Sequence, residues 1–287
     1  DVTIRLKPDN ELLDELVVVG YSTVKRSDLT ESVSTIKGKD VEGFKSSSVL
    51  GALGGQVSGV QITQYDGEPG SGFNVNIRGV GTLTGDASPL YIVDGFEVAN
   101  LNFLSNSDVE SIEVLKDASA TAISGAKAAN GVVLITTKSG KVGKPQIAFS
   151  NASTYRQINK TLDLLSPYEF VKLQADVNSA YAGSYYKPGV DENGIPYKYQ
   201  SAEDYIGVKG INWQEETFRP TWSHDQNFSV SGGIETTKYN FSLNRYNENG
   251  IFNNSDFGRT AAKMRINQKL TRDITVDATI NYGKTLR

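Results

Sequence analysis

From Asp225 onward the chain alternates apolar and polar residues with a period of two. In Asp225–Ile234, Phe228, Val230 and Ile234 oppose Asn227, Ser229 and Ser231; in Lys238–Asn247, Tyr239, Phe241 and Leu243 oppose Asn240, Ser242 and Asn244. In Thr260–Leu270, Ala262, Met264, Ile266 and Leu270 oppose Lys263, Arg265, Asn267 and Lys269. In Ile274–Tyr282, Ile274, Val276, Ala278, Ile280 and Tyr282 oppose Thr275, Asp277, Thr279 and Asn281. Successive side chains of a strand point to opposite faces, so this pattern predicts strands with one apolar and one polar face. Ile147–Tyr155 is a fifth, less regular case. The connections are unequal: Glu235–Thr237 and Thr271–Asp273 are tight, whereas Gln157–Ser223 and Glu248–Arg259 are long. Short turns at one end and long loops at the other fit a transmembrane β-barrel, and Lys263, Arg265, Lys269 and Asp277 suit a wet lumen. A soluble sandwich has the same alternation and is commoner, so patterning alone favours it.

The first half reads differently. Short strand-like runs are Val33–Ile36, Gly59–Gln64, Val75–Arg78, Leu90–Val93, Ile112–Leu115 and Gly131–Lys138, with Asp94-Gly95 as a turn pair. Two short helices are predicted, Ser48–Leu53 capped by serines and Asp117–Ile123 with an alanine-rich face. Together they predict a compact α/β segment. Asp1–Asn10 alternates as the end of a strand. Leu16–Val19, flanked by Asp14, Glu15, Gly20 and Tyr21, fits either a buried strand or an extended peptide that adds to another protein's sheet edge. A breaker-rich link, Ser139–Pro145, separates the halves, and Pro145 can open a strand but not sit inside a central one. The long connection carries one clear helix. Ser166-Pro167-Tyr168-Glu169 is a capping box with proline at the first helical position, followed by the stripe Phe170, Val171, Gln174, Val177 and Tyr181.

Composition sharpens the division. Of 28 glycines, 18 lie in residues 1–145, whereas 11 of the 14 tyrosines and both tryptophans lie in residues 151–287. Tyr185, Tyr186, Tyr197, Tyr199, Tyr205 and Trp213 crowd the long connection, where aromatics either stack on a ligand or partner or pack on themselves. The 287-residue chain carries 29 basic and 33 acidic residues, a net charge of −4, so a basic footprint for nucleic acid is absent. Zero cysteines and one histidine exclude disulfides, thiol nucleophiles and multi-histidine metal centres. No run reaches the roughly 18–20 apolar residues of a membrane helix. No signal peptide is read at the start, and Asp1 is an improbable initiator, so a mature form or a fragment is expected.

Catalytic signals are weak. His224 would have to serve any serine triad, and it lies at a strand edge without a nucleophile elbow. Gly79–Gly85 matches a dinucleotide fingerprint only loosely, its third glycine falling one position late. Asp191–Gly194 has calcium-loop character without the closing glutamate and reads as a turn. Asn151, Asn227 and Asn240 head N-x-Ser triplets that arise often by chance. An enzyme is not expected. A carboxylate-pair glycan hydrolase would need a spacing the acids do not display.

Several motifs stand in order: DELVVVGY (Asp14–Tyr21), QVSGVQITQ (Gln56–Gln64), PGSGFNVNIRG (Pro69–Gly79), PLYIVDG (Pro89–Gly95), ESIEVLKDASATA (Glu110–Ala122) and ANGVVLITTK (Ala129–Lys138). Together with Asn212–Glu215 and Val230–Gly233, this ordered set resembles TonB-dependent outer-membrane transporters of the SusC/RagA type over essentially the whole chain. The resemblance implies an α+β plug domain followed by antiparallel transmembrane β-barrel strands. It places residues 1–10 at the end of a carboxypeptidase-regulatory-like extension, 11–30 as Ton box and linker, 31–143 as plug, and 144–287 as about five barrel strands with a long extracellular loop over 157–223.

The implied function is active import of an oligosaccharide or peptide across the bacterial outer membrane. Asp14, Glu15, Leu16, Val17, Val18, Val19, Gly20 and Tyr21 become the Ton box that pairs with TonB by strand addition. Ile77, Arg78, Gly79, Asp94, Gly95, Glu110 and Glu113 are plug-motif residues, with Arg78, Glu110 and Glu113 as candidates for plug–barrel electrostatics. Tyr185, Tyr186, Tyr197, Tyr199 and Trp213 form a candidate ligand or partner loop. Implied partners are TonB with its inner-membrane energising complex, a SusD/RagB-like surface lipoprotein and the remaining barrel; no cofactor or metal is implied. Two departures matter. Ser124-Gly125-Ala126-Lys127-Ala128 replaces the family's Tyr-Gly-Ser-Arg-Gly-like run, and lysine cannot reproduce bidentate guanidinium contacts. A family barrel has about 22 strands, each of roughly 9–11 residues, so the chain is expected to be a piece of a larger wall. A β-rich surface adhesive protein without transport is the alternative.

Overall fold

The computed structural model describes residues 16–19, 22–25, 33–44, 46–79, 88–116 and 128–287. The helix expected over Asp117–Ile123, the departure at Ser124–Ala128 apart from Ala128 itself, most of the Gly79–Gly85 run, and Asp14, Glu15, Gly20 and Tyr21 therefore lie outside the described residues. By contacts the chain forms two compact units, one containing residues up to 155 with 222–250 and 255–287, the other residues 156–221 with 251–254.

The first unit begins with a two-stranded hairpin. β1 (Leu16–Val19) pairs antiparallel with β2 (Ser22–Lys25), Val19 opposite Ser22. The α/β domain follows, built on β3 (Val33–Lys37), β6 (Leu90–Val93), β7 (Phe96–Val98), β8 (Val109–Leu115) and β9 (Val132–Thr137) in the order β3-β8-β9-β6-β7. A separate ribbon pairs β4 (Val60–Gln64) with β5 (Phe73–Ile77). The sheet is mixed, since β6 runs parallel to β9 while its other pairings are antiparallel. Central β9 is a continuous apolar run because both its faces are covered: Val132 and Val133 are fully buried and Leu134 and Ile135 nearly so. Each such side chain contributes about 1.5–3 kcal/mol. The core closes with α1 (Gly38–Gly43) and the 3-10 turn Val49–Leu53. Ser48 caps that turn, accepting from the Leu50 amide at 3.3 Å, as the serine cluster predicts. α1 and β7, neither expected from sequence, are six and three residues long. A Cβ at Gly38 would collide with the Val109 carbonyl oxygen, so glycine is what lets α1 lie directly on β8.

The second sheet is a five-stranded antiparallel wall: β10 (Gly143–Arg156), β11 (Thr221–Gly233), β12 (Thr237–Asn249), β13 (Asp256–Lys269) and β14 (Thr275–Leu286), in sequence order. All five predicted strands exist and run longer than the alternation marked. Pro145 sits near the start of β10, which is an edge strand of this sheet, so its missing N–H breaks no central ladder. One expectation fails. The connection expected over Glu248–Arg259 is only Gly250–Ser255, because β12 and β13 stay paired up to Asn249 opposite Asp256. Tyr246 packs against Phe257 at 6.3 Å and Arg259 lies 5.6 Å from the Tyr246 ring, contacts that sustain pairing where the local pattern turns polar.

The second unit holds α2 (Pro167–Val177), α3 (Ser179–Tyr185) and α4 (Trp213–Thr217). The capping box forms as predicted: the Glu169 amide donates to Ser166 Oγ at 3.3 Å and the Ser166 amide to Glu169 Oε2 at 2.8 Å. The apolar stripe does not form one continuous buried face. The helix ends at Val177, where Asn178 caps both helices, and of the stripe only Val171 is buried. Asp191 is a turn, its Oδ1 accepting from the amides of Asn193 and Ile195, both at 2.9 Å.

Candidate functional site

The α/β domain meets the wall across a polar seam. Parity fixes which residues face it. Asn227, Asn244, Ala261 and Gly283 stand opposite one another across β11–β14, and alternate residues from there point toward the domain.

Asp94 is the centre of the seam. Val93 opposes Phe96, leaving Asp94-Gly95 as a two-residue hairpin loop with φ of 48° and 89°. That conformation selects an Asp-Gly pair. The turn aims the Asp94 carboxylate at two partners. Oδ1 accepts from the Thr137 amide at 2.9 Å and Oδ2 from the Thr137 hydroxyl at 2.6 Å. Oδ1 also receives Arg265 of β13 at 3.1 Å. Arg265 turns its remaining nitrogens to Asp277 of β14, at 3.1 and 2.7 Å, a bidentate fork. The Arg265 and Asp94 side chains are 15% and 7% exposed, while Asp277 is 40% exposed. Arg265 thereby bolts the sheet of the α/β domain to the wall.

Further along the seam the 3-10 turn Asn106–Asp108 is held between domain and wall. Asn227 Oδ1 accepts from Ser107 Oγ at 2.6 Å and from Asn244 Nδ2 at 2.6 Å; Asn244 Nδ2 also reaches Asp225 at 2.8 Å. Lys263, 3% exposed, donates to the Lys138 carbonyl at 2.9 Å, and Arg259, 2% exposed, donates to the Ser47 carbonyl at 2.6 Å. Burial raises the Asp108 carboxyl above the usual aspartate range, opposed by the Ser242 hydroxyl and by the charges of Lys263, Lys138 and Arg259. Small residues permit the approach: a Cβ on Gly70 would enter the Phe257 ring, and one on Gly140 would strike the Tyr239 backbone.

The remaining plug-motif residues fall elsewhere. Arg78 takes the left-handed region at φ 59°, its amide donating to the Gly59 carbonyl at 2.8 Å, and Gly79 follows at φ 88°. Ile77 is buried in the core. Glu110 sits at the register shift of β8 and is exposed, whereas Glu113 is buried. Both border a cavity of about 970 Å³, shared with Lys37, Lys138, Ser229 and Asn240. Sequence reasoning missed Arg265, Asp108, Asn227 and Asn244 as contacts between domain and wall. The usable signal was the recurrence of charged or amide side chains on the inward face, among them Asn227, Asn244, Lys263 and Arg265, which had implied only a wet lumen.

In the second unit, Tyr199 stacks on Tyr205 at 4.2 Å, Phe170 meets Tyr185 edge-on at 5.7 Å, and Lys187 lies 4.7 Å from the Tyr197 ring. Tyr205 donates to the Tyr185 carbonyl at 2.6 Å. Trp213 is 68% exposed. Among the described residues no group of three His, Cys, Asp or Glu side chains could hold a metal ion. His224 points away from the seam, bonded to Ser153 Oγ at 3.0 Å.

A small mixed α/β domain keyed to the inner face of an antiparallel wall is the arrangement of a plugged barrel, and residues 25–132 match the family model of the TonB-dependent receptor plug domain. The chain is 33% identical over 99% of its length to TonB-dependent receptor SusC of Bacteroides thetaiotaomicron, and 32% identical over its full length to TonB-dependent receptor P3 of Formosa agariphila. It covers 28% and 26% of those two proteins. The structure of the RagAB peptide importer in its open-open state superposes with a TM-score of 0.75 at 25% identity, over 94% of this chain and 32% of that one. Siderophore receptors such as PirA of Acinetobacter baumannii share the fold alone, at 18% identity and a TM-score of 0.54. The chain belongs to the TonB-dependent transporters of the SusC/RagA type.

Proposed function

We propose that this chain forms the plug and part of the wall of an active importer in the bacterial outer membrane, one that takes up an oligosaccharide or peptide. The long connection then lies on the extracellular side and β1 on the periplasmic side. The observation that carries the proposal is the plug sheet bolted to the lumenal face of the wall through Asp94 and Arg265. Such a plug needs an external force to move it. The β1–β2 hairpin supplies a handle. A four-residue ladder is marginal in water, so β1 can exchange β2 for a strand of TonB at little cost. A SusD/RagB-like lipoprotein would cover the extracellular mouth, and the aromatic second unit, with Tyr185, Tyr186, Tyr197, Tyr199 and Trp213, would face ligand or that partner. The relatives are named as receptors and a peptide importer, which supports transport over the adhesive alternative.

The test is Val18→Pro in the full-length protein. The substitution removes one backbone donor from β1. Ligand binding at the cell surface should persist while TonB-dependent uptake is lost. Unchanged uptake would refute the Ton-box assignment.

A further inference from the structure

The outward face of the wall is layered. Three cross-strand rows are apolar or small: Phe228, Leu243, Ala262 and Tyr282; Val230, Phe241, Met264 and Ile280; Gly232, Tyr239, Ile266 and Ala278. The next row toward the long connection is Gln226, Arg245, Thr260 and Lys284, each directly opposite the next. At the tight-turn rim the corresponding row is Thr237, Gln268 and Val276, without charge. Both outward cations of β11–β14 therefore sit at one rim.

Arg245 and Lys284 are exposed, and among the described residues neither takes part in an ion pair. They are two strands apart, about 10 Å, with the Thr260 hydroxyl between them. Leu243 and Tyr282 are the neighbouring outward residues on the same strands, so this row sits at the edge of the apolar band, where long cationic side chains reach the headgroup level. A cation at that level gains from an anionic headgroup and from nothing in the wall itself. We infer that the Gln226–Arg245–Thr260–Lys284 row is a docking strip for the phosphorylated glycolipid of the outer leaflet, the phosphate held by Arg245 and Lys284 and the acyl chains lying on the apolar rows beneath. The inference rests on the proposed orientation of the wall, in which the long connection is extracellular.

The test uses the full-length protein in detergent micelles, titrated with phosphorylated lipid A and with the same lipid dephosphorylated, bound lipid being read by native mass spectrometry. Two cations at a headgroup surface predict a preference of roughly tenfold or more for the phosphorylated form. The double variant Arg245→Gln/Lys284→Gln should abolish the preference, and Arg245→Lys should keep it. Equal binding of the two lipids, or a preference that survives the double variant, overturns the inference. Displacement of the lipid by millimolar inorganic phosphate also overturns it, because the strip would then read a free anion. Lipid retention needs neither TonB nor cargo, so a failure of import would strike the proposed function and leave this result standing.

Discussion

Replacing Arg265 separates two contacts that geometry alone would rank wrongly. The Asp277 contact is the shorter, 2.7 Å against 3.1 Å for Asp94. Asp277 is 40% exposed, however, and an ion pair in that setting is worth about 0–1 kcal/mol. Asp94 is 7% exposed, and stripping the partner from a buried charge costs about 3–5 kcal/mol. The two Thr137 hydrogen bonds continue to solvate Asp94, which reduces the expected cost to about 2–3 kcal/mol. The assay is a pair of double-mutant cycles in the full-length protein, Asp94→Asn with Arg265→Gln and Asp277→Asn with Arg265→Gln. The readout is amide exchange at Thr137, whose N–H is spent on Asp94 rather than on a strand neighbour. In the regime where exchange reports opening free energy, Arg265→Gln should speed Thr137 exchange by about 30-fold or more. The coupling with Asp94 should exceed that with Asp277 by at least about 1 kcal/mol. Equal couplings, or a larger one with Asp277, would refute the claim that burial rather than distance sets the strength of the bolt.

Two further outcomes follow from the seam. Burial raises the Asp108 carboxyl, so the folded state holds that proton more tightly than the unfolded chain; plug stability should decline as pH rises from the ordinary aspartate range through the raised value, and Asp108→Asn should flatten that decline in exchange measured across the same window. Gly140→Ala places a methyl against the Tyr239 backbone and should loosen the plug, seen as faster exchange in β9 and a lower unfolding midpoint, whereas Gly43→Ala, with open space around it, should leave both unchanged.

What the sequence determined by itself was the strands of the wall and their faces. A period of two is written residue by residue, because a strand's side chains alternate whatever it packs against. Thus β11–β14 and the inward set Lys263, Arg265 and Asp277 were readable before any coordinates. So were the Asp94-Gly95 turn, whose backbone admits few residue pairs, and the Ser166–Glu169 box, whose hydrogen bonds close within four residues. Where the strands stop was not readable: β12 and β13 continue to Asn249 and Asp256 because Tyr246, Phe257 and Arg259 hold them together across the ladder. Alternation also could not separate a sandwich from a barrel wall, since both bury one face of each strand. That choice depends on what covers the polar face, and the partners that cover it are distant in sequence. Arg265 lies 171 residues from Asp94, Arg259 lies 212 from Ser47, and Asn227 lies 120 from Ser107. No local rule links such positions. Only the tertiary fold, by setting the plug sheet against the inner row of the wall, turned a generic wet face into one bolt and one buried polar seam.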